Sequence, residues 1–233
     1  MTQLKDITAF LDDYLEAHTY PEEKANGLFY TPKNHKDQAI RKLGLALEPP
    51  QMLPSWVQNE RLDTVFLHRP WGLASDLDVP VVAYHLAFDE HLTLGYNLRL
   101  ATVLGLDNVD ILGYKEDRPI GMIGNLMSPE LTQAVQQFKT IFGGLEDQKI
   151  QVDVRPERIA IVGAMNKKLV REASERGATL YLTGQYRDHA EEAVQETGIN
   201  IVTVGHQRSE RWGLRALAGL LRERFSGLDV ISW

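Results

Sequence analysis

An α/β fold is predicted by two observations on this 233-residue chain: short apolar strands take turns with helical patterns from residue 53 onward, and 43% of residues are hydrophobic, enough for a real core. No internal repeat, low-complexity tract or heptad run points to another architecture. Residues 3–18 read as an amphipathic opening helix, because Leu4, Ile7, Leu11 and Leu15, with Phe10 and Tyr14 between them, recur at helical spacing. Asn26 to Tyr30 reads as a turn entering a short strand. Ile40 to Leu47 fits strand or helix, with strand preferred, and Pro49 and Pro50 end it. The alternation then sets strands near 63–67, 80–84, 108–113, 158–163, 178–183 and 199–204, and helices near 53–59, 92–105, 129–142, 166–176, 187–197 and 210–224. Residues 1–233 form one unit, with a possible lobe boundary near 143–157: Gly143 and Gly144 close a helix, and a polar, strand-like segment follows that serves as linker or edge strand. In the last helix, Leu214, Leu217, Leu220 and Leu221 form the core side, and Arg215, Arg222 and Arg224 a solvated face.

Composition narrows the chemistry. With 25 Lys and Arg against 32 Asp and Glu, the net charge of −7 argues against a broad nucleic-acid footprint. The absence of cysteine excludes disulfides, thiolate metal sites and cysteine nucleophiles, so any metal must be held by nitrogen and oxygen. Asp6, Asp12, Asp13 and Glu16 interrupt the apolar pattern of the first helix, which neither a signal peptide nor a membrane span tolerates; a cytoplasmic protein without a membrane partner is expected.

Three apolar stretches each run into metal-type side chains: Val65-Phe66-Leu67 into His68, Val81 to Tyr84 into His85 and Asp89, and Ile201 to Gly205 into His206 and Glu210. The carboxyl ends of parallel strands share one sheet edge, so residues far apart in sequence can meet there. Imidazole and carboxylate together suit a divalent ion of the zinc, iron or manganese class. Each residue also has an ordinary structural use. Glu210 can be an acid at a helix start with Ser209 as N-cap, Asp89 can cap a helix beginning near Leu92, and His68 can be a hydrogen-bonded loop residue.

The segments FLHRP, YHLAFDEHLTLGYNLRLATVLGL, TLYLTGQYRDHA and VGHQRSERWGLRALAGLLRE, in that order and together with Asn26-Gly27-Leu28, resemble the NIF-three-like family, also labelled GTP cyclohydrolase type 2-like, in its short form without an inserted middle domain. The resemblance implies two closely joined α/β lobes with a metal cleft between them, assembled as a homohexameric ring. It implies two metal ions held by a His-His pair, an Asp, and a late His and Glu, the Glu bridging both. Here His68 matches the first histidine, Asp89 the aspartate, His206 the late histidine and Glu210 the bridging glutamate. Arg69 stands where the second histidine belongs, and a guanidinium cannot coordinate a cation. One ion per chain, on His68, His206 and Glu210, is therefore favoured over two, with Arg69 pairing Asp89 in place of the second charge.

His85 matches the family's HxxxD spacing in an outer, ligand-orienting or substrate-touching role, and His189 matches its TG-to-His segment as a proton donor. Gly163-Ala164-Met165-Asn166 offers backbone N–H groups to an anion but lacks the family's richer glycine run. The expected activity is metal-dependent hydrolysis, the label pointing to a nucleotide, with Glu210 or His189 managing the proton. The alternative is a non-catalytic ring scaffold that binds metal or a partner, which the loss of a ligand at Arg69 favours.

Overall fold

The computed structural model describes residues 2–21, 23–33, 39–73, 77–127, 130–152 and 155–233. Its contacts divide into two units, Met1–Phe88 with Leu214–Trp233, and Asp89–Gly213.

The first unit opens with α1 (Leu4–Tyr14), whose start is capped by the Asp6 carboxylate accepting from the Gln3 backbone N–H at 2.8 Å. The helix ends four residues before the limit expected at residue 18, because Glu16 turns into the left-handed region (φ 49°) and starts a 3-10 turn at Ala17–Thr19. Strand β1 (Asn26–Tyr30), strand β2 (Lys42–Ala46), helix α2 (Leu53–Glu60), strand β3 (Thr64–Leu67) and strand β4 (Val81–Tyr84) follow. The ambiguous run at 40–47 is thus a strand. Every residue of β3 and β4 is buried, as expected where both sheet faces are covered, and each such aliphatic side chain contributes roughly 1.5–3 kcal/mol. On one face α2 packs Leu53, Trp56 and Val57 against Val65, Leu67 and Val81. The phenol of Tyr84 donates to Asp12 of α1 at 2.6 Å, and burial pushes its pKa far up, so it stays a neutral strut between helix and sheet.

Helix α3 (Leu86–Leu92) carries the chain into the second unit, which continues as α4 (Leu98–Leu104), β5 (Leu106–Ile111), the hairpin β6 (Tyr114–Lys115) and β7 (Arg118–Pro119), β8 (Gly121–Leu126), α5 (Leu131–Phe142), β9 (Asp147–Lys149), β10 (Arg158–Val162), α6 (Lys167–Glu175), β11 (Leu180–Thr183), α7 (Glu191–Thr197) and β12 (Asn200–Thr203). The helix expected over 92–105 is two helices. Gly95 packs where a Cβ would come within 1.9 Å of the Glu90 carbonyl, and Asn97 starts α4 afresh by accepting from Leu100 N–H at 3.0 Å. The six-stranded sheet runs β5-β8-β10-β11-β12-β9, with β10, β11 and β12 parallel and the others antiparallel. The segment at 143–157 contributes β9, the edge strand beside β12, and lies within this unit.

Helix α8 (His206–Arg224) returns the chain to the first unit, where β13 (Asp229–Ser232) completes the sheet β1-β4-β3-β2-β13, parallel throughout except for β1 against β4. Each unit is therefore a sheet with helices, an α/β design, and among the described residues no helix is long and apolar enough to cross a membrane.

Candidate metal centre

Because β3 and β4 run parallel, the residues after them emerge at one sheet edge: His68 after Leu67, His85 after Tyr84. His68 is completely buried, its ring 4.7 Å from that of Phe88 and 5.1 Å from that of His85. Its Nδ1 lies 3.1 Å from the Tyr84 carbonyl. A carbonyl can only accept, so chemistry assigns the proton to Nδ1 and leaves the Nε2 lone pair for another partner. That arrangement is how metal-binding imidazoles are oriented.

The His85 backbone N–H donates to Ala25 at 2.9 Å, which ties the start of α3 to β1, and Nδ1 of His85 lies 3.6 Å from Glu23. Asp89 follows one helical turn later on the same side. Ligand atoms of His68, His85 and Asp89 all lie within 4.8 Å of one another. Donors about 2.1 Å from one ion are at most roughly 4.2 Å apart, so about half an ångström of adjustment brings the group to bonding distance. Two imidazoles and one carboxylate fit a borderline divalent ion and leave positions open on it.

In the second unit, Gly163 and Gly184 directly follow β10 and β11, and Gly205 follows β12 after Val204. Gly205 takes φ 96°, a turn that favours glycine, and α8 begins at once with His206. The helix thus starts four residues earlier than expected. Ser209 lies inside its first turn, its hydroxyl donating to the His206 carbonyl at 2.7 Å, and is not the N-cap. Asp89 likewise belongs to the body of α3 and does not cap a helix starting at Leu92. His206 Nε2 and Glu210 Oε1 are 2.9 Å apart, with Glu210 fully buried and the His206 side chain 64% exposed. A buried carboxylate demands such a partner.

A cavity of about 270 Å³ is lined by Gly163 and Gly184, which follow β10 and β11, and by Asp89, Lys115, Arg187 and His206 among others. One wall is the loop after β11. Tyr186 of that loop donates to Glu191, whose carboxylate is held down to about 2 by Lys149 at 2.7 Å and by Tyr186 and Gln195.

The Duf34/NIF3 (NGG1p interacting factor 3) family model matches residues 73–232. The chain belongs to this family. Among its relatives is a GTP cyclohydrolase 1 type 2 homolog of Neisseria meningitidis serogroup B, 32% identical over 99% of this chain and 96% of that one. Another protein of the same description, from Pyrococcus abyssi, is 25% identical over 95% of this chain and 94% of its own. Among solved structures, reduced HcgD from Methanocaldococcus jannaschii is similar in fold, with a TM-score of 0.73, 21% identity, and coverage of 99% of this chain and 97% of that one.

Within this Duf34/NIF3 chain, His68 and Asp89 come together with His85, which the sequence placed in an outer role and which stands here among the ligand atoms themselves. His206 shares the cavity wall with Asp89, and Glu210 stands behind His206. Arg69, at the position of the family's second histidine, has its Nε 2.9 Å from Glu48. His189 is exposed on a 3-10 turn at Asp188–Ala190, just past the Gln185 and Arg187 that line the cavity. Lys115 and Arg187 were not singled out from sequence. Lys115 sits in a hairpin turned by Glu116 and Asp117 at positive φ (51° and 66°), without the Asn-Gly pair that usually marks such turns.

Proposed function

We propose that this Duf34/NIF3 protein binds a divalent metal ion at His68, His85 and Asp89 and uses it to hydrolyse a small molecule held in the cavity. One observation carries the reading: a fully buried imidazole, its Nδ1 3.1 Å from the Tyr84 carbonyl, belongs to a group with a second imidazole and a carboxylate whose ligand atoms all lie within 4.8 Å of one another. A divalent ion supplies Lewis acidity, polarising an oxygen bound to it and making water a stronger acid.

The chain's own groups do the rest. The Tyr84 carbonyl engages Nδ1 of His68, which leaves Nε2 as the atom that would meet an ion. The His206 and Glu210 pair, at 2.9 Å, is placed to take a proton and hold it at the cavity wall. His189 lies outside that wall and is given no part. Relatives described as GTP cyclohydrolase 1 type 2 homologs support a hydrolytic assignment, and the homohexamer that the sequence resemblance implies is proposed with it.

The reading is tested by purifying the protein without added metal and counting bound ions per chain by elemental analysis. At least one equivalent is expected in wild type and well under a tenth of that in His68→Ala, with nucleotide and phosphoester hydrolysis that disappears with chelator. Full metal retention in both His68→Ala and His85→Ala would refute the site. Metal bound without turnover on any substrate would leave a non-catalytic metal scaffold, the reading that Arg69 in place of a ligand favours.

A further inference from the structure

We infer that the cavity binds its ligand by an oxyanion held on Lys115 and Arg187, so that the ligand class is a small phosphorylated molecule; this deepens the hydrolase reading and rests on it only for the reacting end. The cavity wall carries two acids and two strong cations besides His206: Asp89, Glu90, Lys115 and Arg187. The acids are occupied. Asp89 belongs to the metal-type group, and Glu90 is ion-paired to Arg118 at 3.1 Å. Among the described residues, Lys115 and Arg187 have no ion-pair partner, so positive charge is left over on the wall.

The hairpin that carries Lys115 is anchored at both ends. Lys115 lies on the β6 strand of a two-residue-turn hairpin whose other strand begins with Arg118, only 8% exposed and bonded both to Glu90 of α3 and to Glu116 of the turn at 2.9 Å. Deeper in, Gly113 leaves no room for a Cβ, which would fall 2.3 Å from Leu169, so the hairpin base is seated on α6. Arg187 stands on the loop clasped by Tyr186, Glu191 and Lys149. Two separately braced elements therefore present cations to one space.

An ammonium offers three N–H donors and a guanidinium five in a planar fork, more than the two oxygens of a carboxylate accept and a match for the three of a phosphoryl group. About 270 Å³ lies just below the ~300–1,000 Å³ usual for small-molecule sites, which suits one ring or a short chain with one phosphoryl group.

Inorganic phosphate titrated by calorimetry into the protein tests this, with metal content measured on the same samples. Wild type should bind phosphate, and more tightly than acetate at matched ionic strength. Lys115→Ala and Arg187→Ala should each weaken phosphate roughly tenfold or more. Arg171→Ala, a cation paired with Glu196 on the α6–α7 surface, should change it less than about twofold. Wild type that ignores phosphate, a Lys115→Ala/Arg187→Ala double variant that binds as wild type does, or acetate bound as well as phosphate would each overturn the inference. Metal content separates the two claims: phosphate binding that depends on Lys115 and Arg187 in a protein holding no metal sinks the metal centre and upholds the anion site, and a loaded protein indifferent to phosphate does the reverse.

Discussion

The two sheets end their parallel strands in opposite ways. In the first, β2, β3 and β4 run out into Glu48, His68 with Arg69, and His85, so the edge is filled with donor side chains that contact one another. In the second, β10, β11 and β12 run out into Gly163, Gly184 and Gly205, and the edge is left open as a cavity. Both follow from the rule that parallel strands deliver their carboxyl ends to one side. The difference teaches that one edge is built for rigid placement of functional atoms and the other for space.

The strongest test of the filled edge is Phe88→Ala. The ring is fully buried, 5.7 Å from Phe66 and 4.7 Å from His68, so its removal opens a cavity directly beneath the imidazole. A loss of about 3–5 kcal/mol is expected from urea unfolding. A cost below about 1 kcal/mol would show that His68 is not braced by packing.

Glycine to alanine changes compare the two units under one substitution. At Gly44 in β2, a Cβ would sit 2.6 Å from both Leu62 and Trp56, so Gly44→Ala overpacks the β2–α2 contact and should cost about 1–3 kcal/mol. At Gly163, the nearest atoms to a Cβ belong to Leu94 at 3.9 and 4.0 Å, and Gly163→Ala should stay within about 0.5 kcal/mol of wild type. Thermal midpoints of the two variants check the contrast directly. Equal costs would mean that the second edge is as tightly filled as the first.

The same contrast explains what was legible in the sequence. His68, His85 and Asp89 follow buried strands and an amphipathic turn, so the apolar pattern before them marked their place, and short runs of aliphatic and aromatic residues likewise revealed β3, β4, β10, β11 and β12. Open space leaves no such trace. The strand β8 (GMIGNL) went unread because its two glycines, needed where a Cβ at Gly121 would meet Val162 at 2.6 Å, weaken the strand pattern. With β8 went the β6–β7 hairpin and hence Lys115. His85 was legible only in part: spacing places it on the side of Asp89, and it is the fold that brings its ring 5.1 Å from that of His68.

The smallest expected effect concerns the clasp that holds the open edge's wall. Glu191, on the surface, is kept ionised to about 2 from an ordinary 4.5, first by Lys149 and then by Tyr186 and Gln195. A depressed folded pKa means that the folded state holds its proton less tightly than the unfolded chain does. The clasp's contribution is therefore complete above 4.5, shrinks as pH falls below it, and is gone below about 2. The unfolding midpoint of wild type minus that of Glu191→Gln, followed from about pH 6 to pH 2, should be positive and then decline to nothing, with added salt flattening the curve because the groups are exposed. A difference that holds constant over the same range would mean that the carboxylate's charge does not hold this loop, and that the cavity wall owes its position to packing.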